Sequence, residues 1–281
     1  AQLKTGDIIT HVEKKSVVWV SADDAVEMIR WPRWSQVTLS ILSPDEKTEK
    51  TISLIRDVVV VPTVEGKILT GTSIGYIEMH MFGENTVEEF LKTYKNLIRE
   101  GAKGIILDGR NNGGGYLDVA VDVLSVFVPK NTQIVETKGT NPAENLTYYT
   151  KMAPLGENVP LVMLVNNLSA SATEIVAGAL QDTNRALILW EKTYGKGSVQ
   201  TPFVLSDGSL LKVTTAKWYT PSVRGIDEKG IEPDVVIELT DDDYKKLYDR
   251  QFEWAKTLMK NILEKNLDTQ KAKEFAKTLS F

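Results

Sequence analysis

The run Pro160-Leu161-Val162-Met163-Leu164-Val165 limits the fold more than any other stretch. It is short, unbroken and wholly apolar, so it reads as a strand covered on both faces rather than one with a wet side. Gly104-Ile105-Ile106-Leu107-Asp108 and Ala186 to Trp190 read the same way. Helical patterns lie between and around these runs. Val87, Phe90, Leu91, Tyr94, Leu97 and Ile98 form one apolar stripe closed by Gly101, with Thr86 as the expected cap. Leu117 to Val128 reads as a second helix ended by Pro129, and Ile175, Val176, Ala179 and Leu180 keep helical spacing in a third. Alternating strands and helices predict an α/β domain over residues 57–281, starting with a strand at Val58–Val61.

Residues 1–56 read differently. Lys4 to Gly6 predict a turn and Ile8 to Val12 a strand. Ser21 stands three residues before Asp24 as an N-cap to a short helix that ends at Trp31-Pro32. Val37 to Ile41 alternates as a strand does, Pro44 to Lys50 is a charged hairpin tip, and Thr51 to Ile55 returns. A domain boundary is placed near residue 56.

Composition narrows the function classes. A chain of 281 residues with 42% apolar and 25% charged residues has material for a sizeable core. The net charge is −5 and no long basic stretch occurs, which argues against nucleic acid as the main partner. Cysteine is absent, so disulfides, zinc–thiolate sites and a cysteine nucleophile are excluded. No apolar run reaches the roughly 18 residues of a membrane span, and any targeting segment is expected to lie outside this chain.

Chemistry concentrates after the Pro160–Val165 strand. Asn166-Asn167-Leu168 leads into Ser169-Ala170-Ser171-Ala172-Thr173-Glu174, a small-residue turn opening a helix. A helix N-terminus offers unpaired N–H groups and partial positive charge, which favour a developing oxyanion. A serine there needs a base, and His11 and His80 are both remote in sequence. Lysine serves once its amine is neutral, a state that apolar walls favour. Lys196, between Gly195 and Gly197 just past a buried strand, is such a lysine. Those glycines either let its loop swing or permit a tight turn. The plainer alternative stays open on these residues alone: Ser171 caps a helix and Lys196 is a solvated loop charge. His80, on a strand over Gly75–Phe82, reads as a packed or rim residue. The loop Arg110-Asn111-Asn112-Gly113-Gly114-Gly115 follows a strand and brings backbone N–H groups close to an anion, but its spacing fits neither common nucleotide-loop pattern.

The Ser169–Glu174 turn, followed by Gly195-Lys196-Gly197 with Lys196 25 positions after Ser171, resembles the C-terminal processing peptidases, or tail-specific proteases. Thr173 stands where that signature has a serine. The resemblance implies a serine–lysine dyad of Ser171 and Lys196, with Gln200 orienting the lysine amine. It implies an oxyanion hole from the N–H groups of Gly115 and Ala172, with Gly114 an alternative to Gly115. It implies a crotonase-like core for residues 57–281 and the second half of a PDZ module for residues 1–56, whose carboxylate-binding loop would precede residue 1. The closing stretches Lys217-Trp218-Tyr219-Thr220-Pro221 and Gly230-Ile231-Glu232-Pro233-Asp234 also resemble the family and read as loops locked by proline. The C-terminal segment from Asp241, with Tyr244, Leu247, Tyr248, Phe252, Leu258 and Ile262, is expected to form long solvated surface helices, with a helical cap or an oligomer contact as the alternatives.

The implied function is a serine endopeptidase cutting protein substrates near accessible C-terminal tails. No cofactor or metal is expected, and the implied location is extracytoplasmic, in the periplasm or cell envelope. A homo-oligomer or a regulatory partner is compatible with it. Two other readings are a non-catalytic ligand- or peptide-binding module and a crotonase-type acyl-CoA enzyme, which needs paired N–H donors but no serine–lysine dyad.

Overall fold

The structure, a computed structural model, describes residues 3, 6–30, 32–43, 48–58 and 61–279. The chain divides into two compact units, Ala1–Val61 and Pro62–Phe281.

In the first unit, β1 (Ile8–Val12), β2 (Lys15–Ser16), α1 (Ala22–Ile29), β3 (Gln36–Leu42) and β4 (Lys50–Ile55) follow in order. The strands form an antiparallel sheet ordered β2-β1-β3-β4. Strict alternation in β3 turns Val37, Leu39 and Ile41 inward to join Val12 and Val17. Ser21 caps α1, its hydroxyl accepting the Asp24 N–H at 3.1 Å. The expected turn at Lys4–Gly6, Trp31 at the expected helix end, and the hairpin tip at Pro44–Lys50 lie wholly or partly outside the described residues.

The second unit begins with β5 (Val64–Ile68) and β6 (Ile74–Met79), then α2 (Thr86–Arg99), β7 (Gly104–Asp108) and α3 (Leu117–Leu124). Next come β8 (Gln133–Gly139), β9 (Leu146–Tyr149), β10 (Leu161–Val165), α4 (Ala172–Asp182) and β11 (Leu187–Trp190). A long hairpin of β12 (Ser198–Val204) and β13 (Leu210–Tyr219) precedes the short β14 (Val235–Val236). Three helices close the unit: α5 (Asp241–Lys246), α6 (Arg250–Lys265) and α7 (Thr269–Ala276). Six strands form one sheet, β14-β11-β10-β7-β6-β5, parallel except where β5 runs antiparallel to β6 at the edge. A second, antiparallel sheet is ordered β12-β13-β8-β9.

The all-apolar runs are explained by the two faces of the six-stranded sheet. On one face Ile105, Leu107, Leu161, Met163, Val165 and Ile188 pack with α2, α3, α4 and the second sheet. On the other, Ile106, Val162, Leu164, Leu187 and Leu189 pack against α6 and α7. A strand buried on both sides has no position for a polar residue.

Three expectations need correction. Val58 and Val61 are exposed and the first strand starts at Val64, because Pro62 lacks the N–H that a ladder requires; positions 59 and 60 lie outside the described residues. The helix at Leu117 ends at Leu124 rather than Val128, since Val126 and Phe127 donate to carbonyls three residues back and tighten the turn. The terminal helices are not solvated surface elements. Trp254, Ala255, Leu258, Met259 and Ile262 of α6 are buried and seal one face of the sheet. Each large side chain buried this way contributes about 1.5–3 kcal/mol, so the sheet depends on this helix. Leu247, expected in the apolar stripe, is 94% exposed.

Candidate active site

Strand β10 ends at Val165, and six residues later the chain turns into α4 through Ser171. Ser171 is the N-cap residue and holds φ 56° and ψ −119°, a conformation a serine rarely adopts. Such a sharp strand-to-helix turn presents a side chain above the sheet. Its neighbours spend their hydroxyls on the fold. Ser169, fully buried, donates to the Gly109 carbonyl (2.8 Å) and accepts from the Asn166 N–H (2.9 Å). Thr173, also buried, donates to the Asn112 carbonyl (2.9 Å). Ser171, half-buried, lines a cavity of about 290 Å³.

The same cavity is lined by Gly115, Lys196, Gln200, Lys212 and Trp218. Residues far apart in sequence therefore converge: Ser171 from the head of α4, Lys196 from the loop after β11, and Gln200 from β12. A register shift between Val199 and Gln200 in the β12–β13 ladder sets the direction of Gln200. Ala172 is fully buried immediately behind Ser171.

The glycine loop lies directly against the serine turn. A Cβ on Gly114 would meet the Ala170 carbonyl at 2.6 Å and the Ala172 nitrogen at 2.8 Å. On Gly115, at φ 148°, it would meet the Phe82 carbonyl oxygen at 2.2 Å. Only glycine fits at either position. The Gly114 N–H is committed to the Asn112 side-chain oxygen at 2.9 Å. Among the described residues, no hydrogen-bond acceptor is seen for the N–H of Gly115 or of Ala172. The loop itself is fixed: Asn112 accepts the Ala170 N–H (3.0 Å) on its carbonyl and donates its side-chain amide to the Met79 carbonyl (2.7 Å).

Glu174 is the residue that sequence reasoning missed. Its carboxylate is fully buried, no ion-pair partner is seen for it among the described residues, and it accepts four hydrogen bonds. They come from the Ser171 N–H (2.9 Å), the Thr193 hydroxyl (2.5 Å), the Gly195 N–H (2.7 Å) and the Lys196 N–H (2.9 Å). One carboxylate thus clasps the backbone of the serine turn to the backbone of the lysine loop. The signal was present as the acidic residue three positions after Ser171, the capping-box position, but its partners 19 to 22 residues on were not readable.

The lysine loop forms a tight turn held at several points. Beyond the Glu174 bonds, Gly197 N–H donates to Asp227 (3.1 Å) and the Trp218 indole donates to the Lys196 carbonyl (3.0 Å). Gly195 takes φ 92° with the Lys229–Gly230 backbone close by. Both closing stretches serve this anchorage: Trp218 is buried under the loop, and the Ile231 N–H donates to the Thr193 hydroxyl at 2.7 Å.

A larger polar cavity, about 620 Å³, lies at the carboxyl ends of β6, β7, β10 and β11. Its most buried charges neutralise one another. Arg110 pairs with Asp108 and with Asp249, and Tyr76 donates to Asp108 at 2.8 Å. Burial works against the Arg110 charge, yet the hydrogen bonds it donates to Asp108 and Asp249 outweigh it and hold the guanidinium more firmly protonated. Burial and the Asp108 carboxylate push the Tyr76 phenol well above its ordinary range. Arg110 of the glycine loop therefore ties that loop to the start of α6.

With this geometry in place, the profile of peptidase family S41 matches residues 73–237. The chain belongs to peptidase family S41. It is 37% identical over 243 residues to a carboxyl-terminal-processing protease of Synechocystis sp., covering 85% of this chain and 56% of that protein. It is 36% identical over 242 residues to a carboxy-terminal-processing protease of Bartonella bacilliformis, covering 85% and 55%. Among solved structures it is similar to the photosystem II D1 C-terminal processing protease, with 31% identity, a TM-score of 0.57, and coverage of 84% of this chain and 64% of that one. The chain spans about half the length of the two curated S41 relatives. The α/β architecture of the S41 fold is the one described above.

Proposed function

We infer that this S41 chain is a serine endopeptidase that cleaves protein substrates near their C-termini through Ser171 and Lys196. One observation carries the reading. Of the three hydroxyls in the Ser169–Thr173 turn, two are spent on the glycine loop, and the third, on a strained backbone, opens onto the cavity that Lys196 and Gln200 also line. In the proposed reaction the neutral Lys196 amine takes the Ser171 hydroxyl proton as Oγ attacks the scissile carbonyl. The resulting ammonium gives that proton to the leaving amine, and water attacks the acyl-enzyme by the same route in reverse. Gln200 accepts a hydrogen bond from the amine and orients it. Gly115 and Ala172 donate to the oxyanion, each worth about 2.7–4 kcal/mol. Gly115 is preferred over Gly114 because the Gly114 N–H already has an acceptor.

Residues 1–56 are read as a PDZ-like module that engages substrate tails, and residues 57–281 as the peptidase core. An extracytoplasmic location and assembly with a second copy or a regulatory partner belong to the same proposal. Among the described residues, no helix is long and apolar enough to cross a membrane. The test is covalent labelling with a fluorophosphonate, read by mass spectrometry, beside cleavage of an unstructured protein substrate. Labelling and cleavage lost together in Ser171→Ala support the reading. Labelling of another residue, or cleavage that survives Ser171→Ala, overturns it.

A further inference from the structure

Outside the Ser171 cavity, the edge hairpin of the six-stranded sheet carries a second cluster of functional groups. Glu65 of β5 and Glu78 of β6 are directly opposite in the antiparallel register. His80 follows Glu78 by two residues, and its N–H continues the ladder by donating to the Thr63 carbonyl at 2.8 Å. Period-two alternation therefore sets all three side chains on one face. The imidazole lies between the carboxylates, with Nε2 at 3.4 Å from Glu65 and Nδ1 at 3.9 Å from Glu78. One ligand atom from each residue lies within 4.8 Å of the others.

Like charges directly opposite in a sheet destabilise it, and Glu65 and Glu78 are such a pair. Lys67, on the same face of β5, places its ammonium over the Tyr76 ring at 5.6 Å. Among the described residues the ion-pair partner seen for either carboxylate is His80. A lone imidazole beside two carboxylates leaves the cluster short of positive charge.

We propose that Glu65, Glu78 and His80 form a binding site for a divalent transition cation of the zinc class. A nitrogen and two carboxylate oxygens are a donor set such ions accept, with an exposed fourth position left for water. The imidazole argues against magnesium and calcium, which take oxygen ligands. Bonds of about 2.0–2.2 Å to the ion require the ligand atoms to draw somewhat closer than they stand. Side chains exposed by 60%, 46% and 35% are free to rotate that far. The backbone beneath is held in place, because Met79 and Phe82, on either side of His80, are bonded to Asn112 and Gly114 of the glycine loop and to Tyr116 just after it. The site requires nothing of the peptidase reading.

Calorimetric titration of Zn²⁺ into chelator-treated protein tests this without any activity assay. The expected result is one Zn²⁺ per chain, with no comparable uptake of Mg²⁺. Loss of an outer-shell partner already costs a metal site about 10–100-fold, so His80→Ala should weaken binding at least tenfold, and Glu65→Gln and Glu78→Gln should each weaken it. Co²⁺ should give visible absorption bands that His80→Ala abolishes, while circular dichroism shows that the variants remain folded. The proposal is overturned if Zn²⁺ binds no more tightly than about millimolar, or if His80→Ala binds as the parent does. It is equally overturned if His11→Ala removes the binding instead, or if the stoichiometry is one ion per two chains.

Discussion

The two walls of the Ser171 cavity are built to different standards. The wall that holds Ser171, Ala172 and Gly115 is set in the main core: every residue from Ala172 to Leu180 is buried, and the glycine loop is locked by Asn112. The opposite wall, from Ser198 to Pro202 and Lys212, belongs to a hairpin that continues into solvent. Phe203, Val204, Leu210 and Leu211 on that hairpin are all exposed, Val204 by 75%. The groups proposed to meet a developing charge sit in dense packing, whereas the group proposed to orient the base sits where the fold is thinner. Glu174 spans the difference, since its carboxylate binds the backbone of the serine turn and of the lysine loop at once.

The most damaging test removes the proposed dyad. Ser171→Ala and Lys196→Ala should each lower kcat by roughly 10⁴-fold or more, and the double variant should be little worse than either, as for residues acting as one unit. Cleavage kinetics of the three variants decide this; additive losses would separate the two residues' roles. Ser169→Ala, by contrast, should lose stability, about 1–3 kcal/mol for the buried groups it orphans, and retain the chemistry.

Next in size is the clasp. Glu174→Gln keeps the shape but turns one acceptor into a donor facing N–H groups. A misplacement of about 1 Å at a catalytic group costs on the order of a hundredfold, so kcat should fall by that order while KM changes little. Fluorophosphonate labelling should slow in parallel. A variant that melts earlier but turns over normally would make Glu174 structural only.

On the exposed wall the expected effect is smaller. Gln200→Ala should lower turnover about tenfold, in keeping with the roughly 0.5–1.5 kcal/mol net of one hydrogen bond, with the melting temperature unchanged. Gln200→Glu places a carboxylate beside the amine and favours its ammonium form, so activity should recover as pH rises. A pH–rate profile that matches the parent would remove Gln200 from the mechanism.

The smallest effect concerns the C-terminal segment rather than the cavity. Asp243 accepts from Arg250 (2.8 Å) and from the Thr240 N–H and hydroxyl, and these bonds hold its carboxyl well below the ordinary value of 3.8. A depressed folded-state pKa stabilises the fold above the unfolded value and ceases to do so as pH falls through the folded one. Asp243→Asn should therefore melt earlier than the parent at neutral pH, and the gap should narrow below about pH 4. A gap that widens in acid would refute the assignment.

Much of this molecule was legible in its sequence. Apolar runs without a polar face could only be strands covered on both sides, and β7, β10 and β11 lie where those runs are. Ser21 was readable as a cap because capping is a contact between near neighbours. The serine turn, the glycine loop and the lysine loop were readable as separate local features, each with a short-range signature in small residues.

What the tertiary structure decided was how those features meet. That α6 seals the sheet was hidden because its charged positions masked a stripe whose buried partners on the sheet lie more than 60 residues upstream. The roles of Ser169 and Thr173 depend on carbonyls about 60 residues away, and the Glu174 clasp depends on a loop 21 residues on. Glu65 and His80 share a site only because β5 and β6 pair in one register. Local sequence determines which backbone shapes are cheap, since those energies arise between neighbours. Which hydroxyl is left open, and which carboxylate joins two loops, are settled by contacts that exist only once the chain has closed on itself.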